Sequence, residues 1–262
     1  MATLSVVVVT KNEEDNIGQC LESVKWADEI IVVDSQSTDK TIEIAKRYTD
    51  KIFTLKKDAH NGKLKKLPLQ NTNKDLGMKK ATEDWILFLD ADEIATPEVR
   101  AEIQGVLKKD DKTFDGYLVL RKNMFLGKWM KHGGWWEYAT NVELVRRGKG
   151  RWPIGIHQTL KVDGNVGHLK NPMIHNAHRS ISQWIEKMDE YTSVEAKELH
   201  ERKAKFQTEQ AIFFPIAVFF RSYFLKAGYK DGFHGFTAAT FASFYEFVKR
   251  TKLWEKQKSE YK

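Results

Sequence analysis

The chain carries a single cysteine, Cys20, among 262 residues. One thiol excludes an internal disulfide framework. Set in an apolar helical pattern, it reads as a core residue and fits a reducing compartment. Long hydrophobic runs are also missing, since no stretch approaches the roughly 20 apolar residues that cross a bilayer. The longest, Ala211-Ile-Phe-Phe-Pro-Ile-Ala-Val-Phe-Phe220, has the length of an interfacial or re-entrant segment broken by Pro215. The N-terminal stretch MATLSVVVVTKNEE lacks a basic leader and a small-residue cleavage site, so it does not read as a signal peptide. A soluble or peripheral protein is expected. No internal repeat or low-complexity linker separates its parts. Acidic charge is in deficit, with 36 Asp and Glu against 43 Lys and Arg and a net charge of +7. That balance calls for an anionic partner: nucleic acid, a phosphorylated small molecule or anionic lipid.

What is present is an ordinary globular mixture, 41% hydrophobic and 30% charged, enough for a sizeable core. The first half alternates strand and helix signals. Leu4–Val9, Ile30–Val33, Ile52–Leu55 and Trp85–Leu89 read as buried strands. Between them, Ile17, Cys20, Leu21 and Val24 recur at helical spacing. Ser37 or Thr38 can cap a helix carrying Ile42, Ala45 and Tyr48, and a short helix is expected near Asn73–Ala81. Thr96-Pro97-Glu98 is a helix start, with Val99, Ile103, Val106 and Leu107 as its buried stripe. This alternation predicts an α/β fold around a mostly parallel, doubly wound sheet, whose ligands bind at the carboxyl ends of the strands. Farther on, Ile181, Trp184, Ile185, Met188 and Tyr191 form a new helical stripe, and a C-terminal helical, aromatic-rich extension follows.

The segment WILFLDADEI places Asp90, Asp92 and Glu93 at the end of an apolar strand, where an unpaired buried charge is expensive. Asp34 follows the strand IIVV, and Thr10, Asn12 and Glu13 follow LSVVVV. Three strands therefore deliver polar residues to one sheet edge. Carboxylates at an Asp-x-Asp spacing can hold a hard divalent cation that takes its other ligands from water and substrate phosphate. Gly127-Lys-Trp-Met-Lys-His-Gly-Gly-Trp-Trp136 sets Trp135 and Trp136 beside cations, which suits a sugar acceptor or a tightly packed hairpin. An acidic strand-end cluster repels nucleic-acid phosphate, so no nucleic-acid partner is expected. A nucleotidyltransferase is the alternative enzyme class, but the loop TKNEEDN is acidic and lacks the glycines such enzymes use.

VVVVTKNEEDNI, IVVDSQSTDKT and WILFLDADEI, in this order and spacing, resemble the signature of inverting family 2 glycosyltransferases. HGGW (132–135), RRGKGR (146–151), HRSISQWIEKMDEYTSVEA (178–196) and GYKDGFHGF (228–236) extend the likeness over nearly the whole chain. They resemble the subgroup of lipopolysaccharide-core β-glucosyltransferases, bacterial enzymes with lipid-linked acceptors. The resemblance implies a GT-A fold, a nucleotide-sugar donor (usually a UDP-sugar) and Mg2+ or Mn2+. Residues 1–178 would be the catalytic domain, with 1–95 on the donor side and 96–178 on the acceptor side, and 179–262 the helical extension. Carried over by position, Thr10, Asn12 and Glu13 would line the nucleoside pocket and Asp34 would bond the base. Lys74 would face the donor, Asp90 would lie near the ribose or sugar, and Asp92 would ligate the metal, with Asp90 and His157 as further candidates.

Two departures stand out. Relatives carry a general-base Asp after HGGW, where this chain reads HGGWWEYATNVELVRRG. Glu137 is the nearest carboxylate able to take the acceptor proton, with Glu143 in reserve. The family's Val-His-Glu reads Ile156-His-Gln158, and Gln-Arg-Asn becomes Asn73-Lys-Asp75. A sugar-nucleotide-binding protein with weakened catalysis is therefore the second reading. The aromatic and basic residues of 206–262 read either as a cover for the catalytic core or as peripheral contact with an anionic membrane surface. With the lipid-linked acceptors of the resembled family, the second would place the protein in the cytoplasm at the inner face of the membrane.

Overall fold

Seven consecutive residues, Leu4–Thr10, form a strand (β1) that is buried along its whole length. A β-branched run of this kind is stable only at the centre of a sheet covered on both faces. The computed structural model, which describes residues 1–54, 69–135, 141–153 and 159–259 apart from the side chains of 69–72 and 259, places it there. β1 pairs in parallel with β2 (Glu29–Asp34) on one side and β4 (Trp85–Asp90) on the other; β2 pairs in parallel with β3 (Ile52–Thr54). Beyond β4 the pairing turns antiparallel. β8 (Val142–Arg146) pairs β4 and β6 (Gly116–Phe125), and β11 (Val166–His178) pairs the two-residue β5 (Glu93–Ile94). Strand order among the described residues is β3-β2-β1-β4-β8-β6-β11-β5, with β7 (Lys128–Trp129) on β6; β9 (Gly150–Arg151) and β10 (Lys161–Val162) form a separate pair.

The chain divides into two compact units, Met1–Lys122 with Tyr138–His175, and Asn123–Glu137 with Asn176–Lys262. In the first, alternate residues of β1 face two cores. Leu4, Val6 and Val8 meet Ile17, Leu21 and Val24 of α1 (Ile17–Val24) and Val99, Ile103 and Leu107 of α4 (Pro97–Lys109). Val7 and Val9 face Phe88, Val145 and the end of α3 (Leu69–Lys80). Each such aliphatic side chain contributes about 1.5–3 kcal/mol on burial. Thr96 caps α4 through Val99 N, with Pro97 in the first turn, as expected. The expected cap of α2 fails: the helix is Thr41–Ala45, without a side-chain cap, and Tyr48 lies past its end. Ser37 and Thr38 are engaged elsewhere, bonded by the carboxylate of Asp34 and the side chain of Asn12. α3 starts four residues earlier than expected. It can lie close to the sheet because of Gly77, where a Cβ would stand 2.2 Å from Val7 Cγ1.

The second unit is built on α5 (Ile181–Glu201), α6 (Thr208–Phe220) and α7 (Gly232–Ser259). Ser180 caps α5 through Gln183 N. Its buried file is Trp184, Met188, Thr192 and Ala196, one residue per turn; Ile185 and Tyr191, expected inside, are exposed. Trp184 joins Phe125, Met130 and Ala238 in a small core, with Trp135, Ile181 and Phe241 against it. Pro215 does not break the apolar segment. α6 runs through it to Phe220, and the reversal comes later, in a π turn (Arg221–Leu225) and a 3-10 turn (Gly228–Asp231). That reversal needs close backbone approach, for a Cβ on Gly235 would lie 1.8 Å from Gly228 O. Asp231 ties it to 128–132, accepting from Lys131 N and His132 N while its carbonyl accepts from Lys128 Nζ.

Candidate donor and metal site

The parallel strands end level with one another: Thr10 is the register partner of Asp34, and Val9 that of Asp90. Ser35 N donates to Thr10 O at 2.9 Å and Ala91 N to Val9 O at 3.1 Å, so the ladder holds one residue past each strand. The edge foreseen from sequence is real, and it belongs to the first unit. Thr10 Oγ1 is buried there and makes no hydrogen bond among the described residues; the same is true of Asn73 Oδ1, whose Nδ2 donates to Ser35 Oγ.

Asp34 is buried and accepts from Ser37 N, at 3.1 and 3.2 Å to its two oxygens, and from Ser37 Oγ at 2.6 Å. Asn12 sits at φ +53°, a left-handed conformation that Asn tolerates better than most residues. It laces the two loops together, donating from its backbone to Ser37 Oγ and accepting from Thr38 N on Oδ1, both at 2.8 Å. Glu13 N donates to Thr41 Oγ1 at 2.8 Å, and Glu13 Oε2 accepts from Asn16 Nδ2.

The turn after β4 is held by charges from α3, β5, β6, β8 and β11. Lys74, on α3, is buried, with Nζ 3.0 Å from Asp90 Oδ1 and 5.5 Å from the ring centre of Trp152. Burial alone would lower its pKa, but Asp90, Glu143 and Glu93 outweigh that and hold the ammonium above its ordinary value. Glu93, fully buried, accepts from Asp90 N at 2.9 Å and from Arg121 Nε, so its carboxylate closes the turn. Arg121, on β6, also donates to Glu143 on β8. Burial pushes the Glu143 carboxyl up to about 7 against the pull of Arg121 and Lys74. Its Oε2 is buried without a hydrogen bond among the described residues. Asp92 is buried, with Oδ2 3.7 Å from His175 Nε2. Burial opposes a charged His175 ring, yet the bond to Asp92 and the charges of Asp92 and Glu93 raise its pKa. Cys20 lies beneath the turn, fully buried as expected, with Sγ donating to Asp90 O at 3.7 Å.

Among the described residues, no group of three or more His, Cys, Asp and Glu is placed to hold a metal. A hard cation that keeps waters and binds substrate phosphate needs only one or two protein carboxylates. Asp92 and Asp90 supply that donor chemistry, and it fits Mg2+ or Mn2+. Of the residues expected from sequence, Thr10, Asn12, Glu13, Asp34, Asp90 and Asp92 lie on this edge and its loops, and Lys74 reaches it from α3. Trp135 belongs to the second unit, its ring 5.7 Å from Phe125 and 6.1 Å from Trp184. Trp136, Glu137 and His157 lie outside the described residues. Sequence reading passed over Arg121, His175 and the supporting role of Glu93. One signal was available: an arginine inside the strand run YLVLRKN needs a buried partner.

A mixed α/β sheet with a parallel edge ending in this carboxylate turn matches the GT-A fold of glycosyltransferases. The chain belongs to glycosyl transferase family 2, whose model matches residues 5–160. It is 26% identical over 258 residues to the lipopolysaccharide core biosynthesis glycosyltransferase LpsC of Rhizobium meliloti (strain 1021), covering 97% of this chain and 92% of that protein. An uncharacterized glycosyltransferase of Rickettsia typhi is 26% identical over 272 residues, covering 97% and 88%. In fold the chain is similar to S. aureus TarS 1-349 in complex with UDP-GlcNAc, with a TM-score of 0.50 and 15% identity over 98% of this chain and 92% of that one.

Proposed function

We propose that the protein is an inverting, metal-dependent hexosyltransferase that moves a sugar from a UDP-sugar to a glycan or lipid-linked acceptor in lipopolysaccharide-core synthesis. The neighbouring ends of three parallel strands, with Thr10 level with Asp34, Asp90 level with Val9 and Asp92 two residues farther on, carry the reading. They set a hydrogen-bonding floor for a nucleoside beside a carboxylate pair for a diphosphate. Family membership sets aside the nucleotidyltransferase alternative. Likeness to LpsC along nearly the whole chain supports the acceptor class.

In this mechanism Asp34 accepts from the base N–H, in exchange for part of its bonding to Ser37. Thr10, Asn12 and Glu13 line the nucleoside, and Lys74 faces the donor while steadying Asp90. Asp92, with Asp90 and His157 as further candidates, would hold Mg2+ or Mn2+, which neutralises charge on the departing diphosphate. The acceptor hydroxyl oxygen bonds to the anomeric carbon as the carbon–phosphate oxygen bond breaks. UDP leaves with the electron pair, Glu137 takes the hydroxyl proton, and configuration inverts. Residues 1–95 serve the donor and 96–178 the acceptor, with Trp135 and Trp136 on the acceptor side. Residues 179–262 form the extension that brings the enzyme to the inner face of the cytoplasmic membrane.

Transfer from a panel of UDP- and GDP-sugars to lipid-linked core acceptors, with and without Mn2+, tests this. A UDP-sugar is expected to be used only with metal, and Glu137→Gln to lower kcat about 100-fold or more with little change in donor KM. Wild-type turnover by that variant would remove Glu137 as the base.

A further inference from the structure

Among the described residues, most of the exposed large hydrophobic side chains are gathered on α6, α7 and the reversal between them. Only Ala211 and Pro215 of α6 are buried; Ile212, Phe213, Phe214, Ile216 and Phe220 are exposed, Phe213 at 65%. At roughly 100° per residue these five span about 200° of the helix circumference. α7 is different. Its exposed Phe233, Phe236, Phe244, Phe247 and Trp254 recur at spacings that keep them within one stripe about 80° wide, opposite buried Ala238, Ala239 and Leu253. An apolar groove of about 420 Å³, lined by Ala211, Ile212 and Pro215 from one helix and Ser243, Phe244 and Phe247 from the other, joins the two surfaces.

The reversal adds Phe224, Leu225 at 82% exposure and Tyr229, interleaved with exposed Arg221, Lys226 and Lys230. From 210 to 230 there is no Asp or Glu. Among the described residues no single helix is long and apolar enough to cross a membrane. Thr208–Leu225 and Gly228–Lys258, bent by 70°, have together the length and composition of a broken span or a re-entrant loop.

From this geometry we infer that the α6–α7 hairpin lies in the interface of a bilayer rich in anionic lipid. Its aromatic faces enter the acyl boundary, and Arg221, Lys226 and Lys230 reach lipid phosphates. A helix apolar over more than half its circumference suits a medium that surrounds it better than a flat protein partner. A second copy would bring the same positive charge to the same surface, whereas anionic headgroups complement it. Lysine and arginine stems also allow their charged ends to rise to headgroup level. The inference deepens the membrane placement proposed above and does not depend on the sugar transferred.

Flotation of the full chain with phosphatidylethanolamine–phosphatidylglycerol vesicles, against phosphatidylcholine vesicles, tests it. The wild type is expected to float with the anionic vesicles and only weakly with the neutral ones. Phe220→Ser/Leu225→Ser/Phe233→Ser and Arg221→Gln/Lys226→Gln/Lys230→Gln are each expected to weaken binding about a hundredfold. Thermal unfolding and UDP binding, measured alongside, should stay at wild-type values. The charge variant alters only exposed side chains and decides the matter if the apolar variant is unstable. A wild type that fails to float, or a charge variant that floats like the wild type, overturns the proposal. So does a solution dimer that the apolar variant dissociates while flotation is unchanged. Loss of flotation with UDP-sugar transfer to a soluble acceptor intact separates failure of this surface from failure of the enzymatic reading.

Discussion

Arg121 is the residue on which the carboxylate turn depends. It donates to Glu93 and Glu143, both almost wholly removed from water, and Glu93 in turn fixes the backbone of Asp90. Removing one partner of a buried charge set is costly because the remaining charges stay desolvated. Arg121→Met should therefore lower stability by about 3–5 kcal/mol, measured by urea unfolding. Adding Glu143→Gln should restore part of that loss, and independent, additive effects would argue against the network. Glu29 makes a prediction of a different kind. Burial would raise its pKa, but hydrogen bonds from Lys51, Ser5 and Thr82 prevail and hold it at about 2, against an ordinary 4.5. Between those values the unfolded chain binds a proton that the folded one does not. Its contribution is therefore present above about pH 4.5 and lost as pH falls toward 2. Glu29→Gln should flatten the thermal-unfolding midpoint over that interval. Thr10, Asp34 and Asp90 were legible in the sequence because each follows a recognisable strand. Arg121 and His175 were not, nor was the pairing of Glu143 with Arg121, since these partners come from different strands and no local period encodes such pairings.

At the scale of elements, α3 shows what spacing conceals. Its length was underestimated, and its role depends on Gly77, which lets the helix carrying Asn73 and Lys74 lie against β1. Gly77→Ala gains about 1 kcal/mol of helix propensity but forces a methyl to within 2.2 Å of Val7 Cγ1. Overpacking prevails, with an expected net loss of about 1–3 kcal/mol. Donor affinity should fall as Lys74 moves, and Val7→Ala in the same chain should recover both. Unfolding and UDP titration of the single and double variants check this. Periodicity gave α1 and α4 closely because a helix against a sheet buries a regular stripe. It misjudged α5, where one residue per turn is covered, and α6, where apolar residues face outward. Pro215, expected from sequence to interrupt the apolar segment, is accommodated inside α6 on its buried side.

For the whole molecule, two properties set the account: a parallel sheet edge that gathers polar strand ends, and a positive, aromatic helical unit. The first was legible because β1, β2 and β4 are uninterrupted buried runs whose next residues are polar. The second was visible as composition, but which aromatics face outward depends on how α6 and α7 pack, and composition does not record that. The net charge of +7 is consistent with both a diphosphate donor and an anionic surface.

The central claim is that the carboxylate turn is the metal end of a nucleotide-sugar site. Calorimetric titration of UDP into the protein, with and without Mn2+, for wild type and Asp92→Asn, tests it most directly. Wild-type affinity should rise at least about tenfold with Mn2+, a coupling of about 1.4 kcal/mol. Asp92→Asn should remove that gain while leaving metal-free UDP binding and thermal stability near wild type. A metal-dependent gain that survives Asp92→Asn, or UDP affinity in the wild type that ignores Mn2+, would contradict the account.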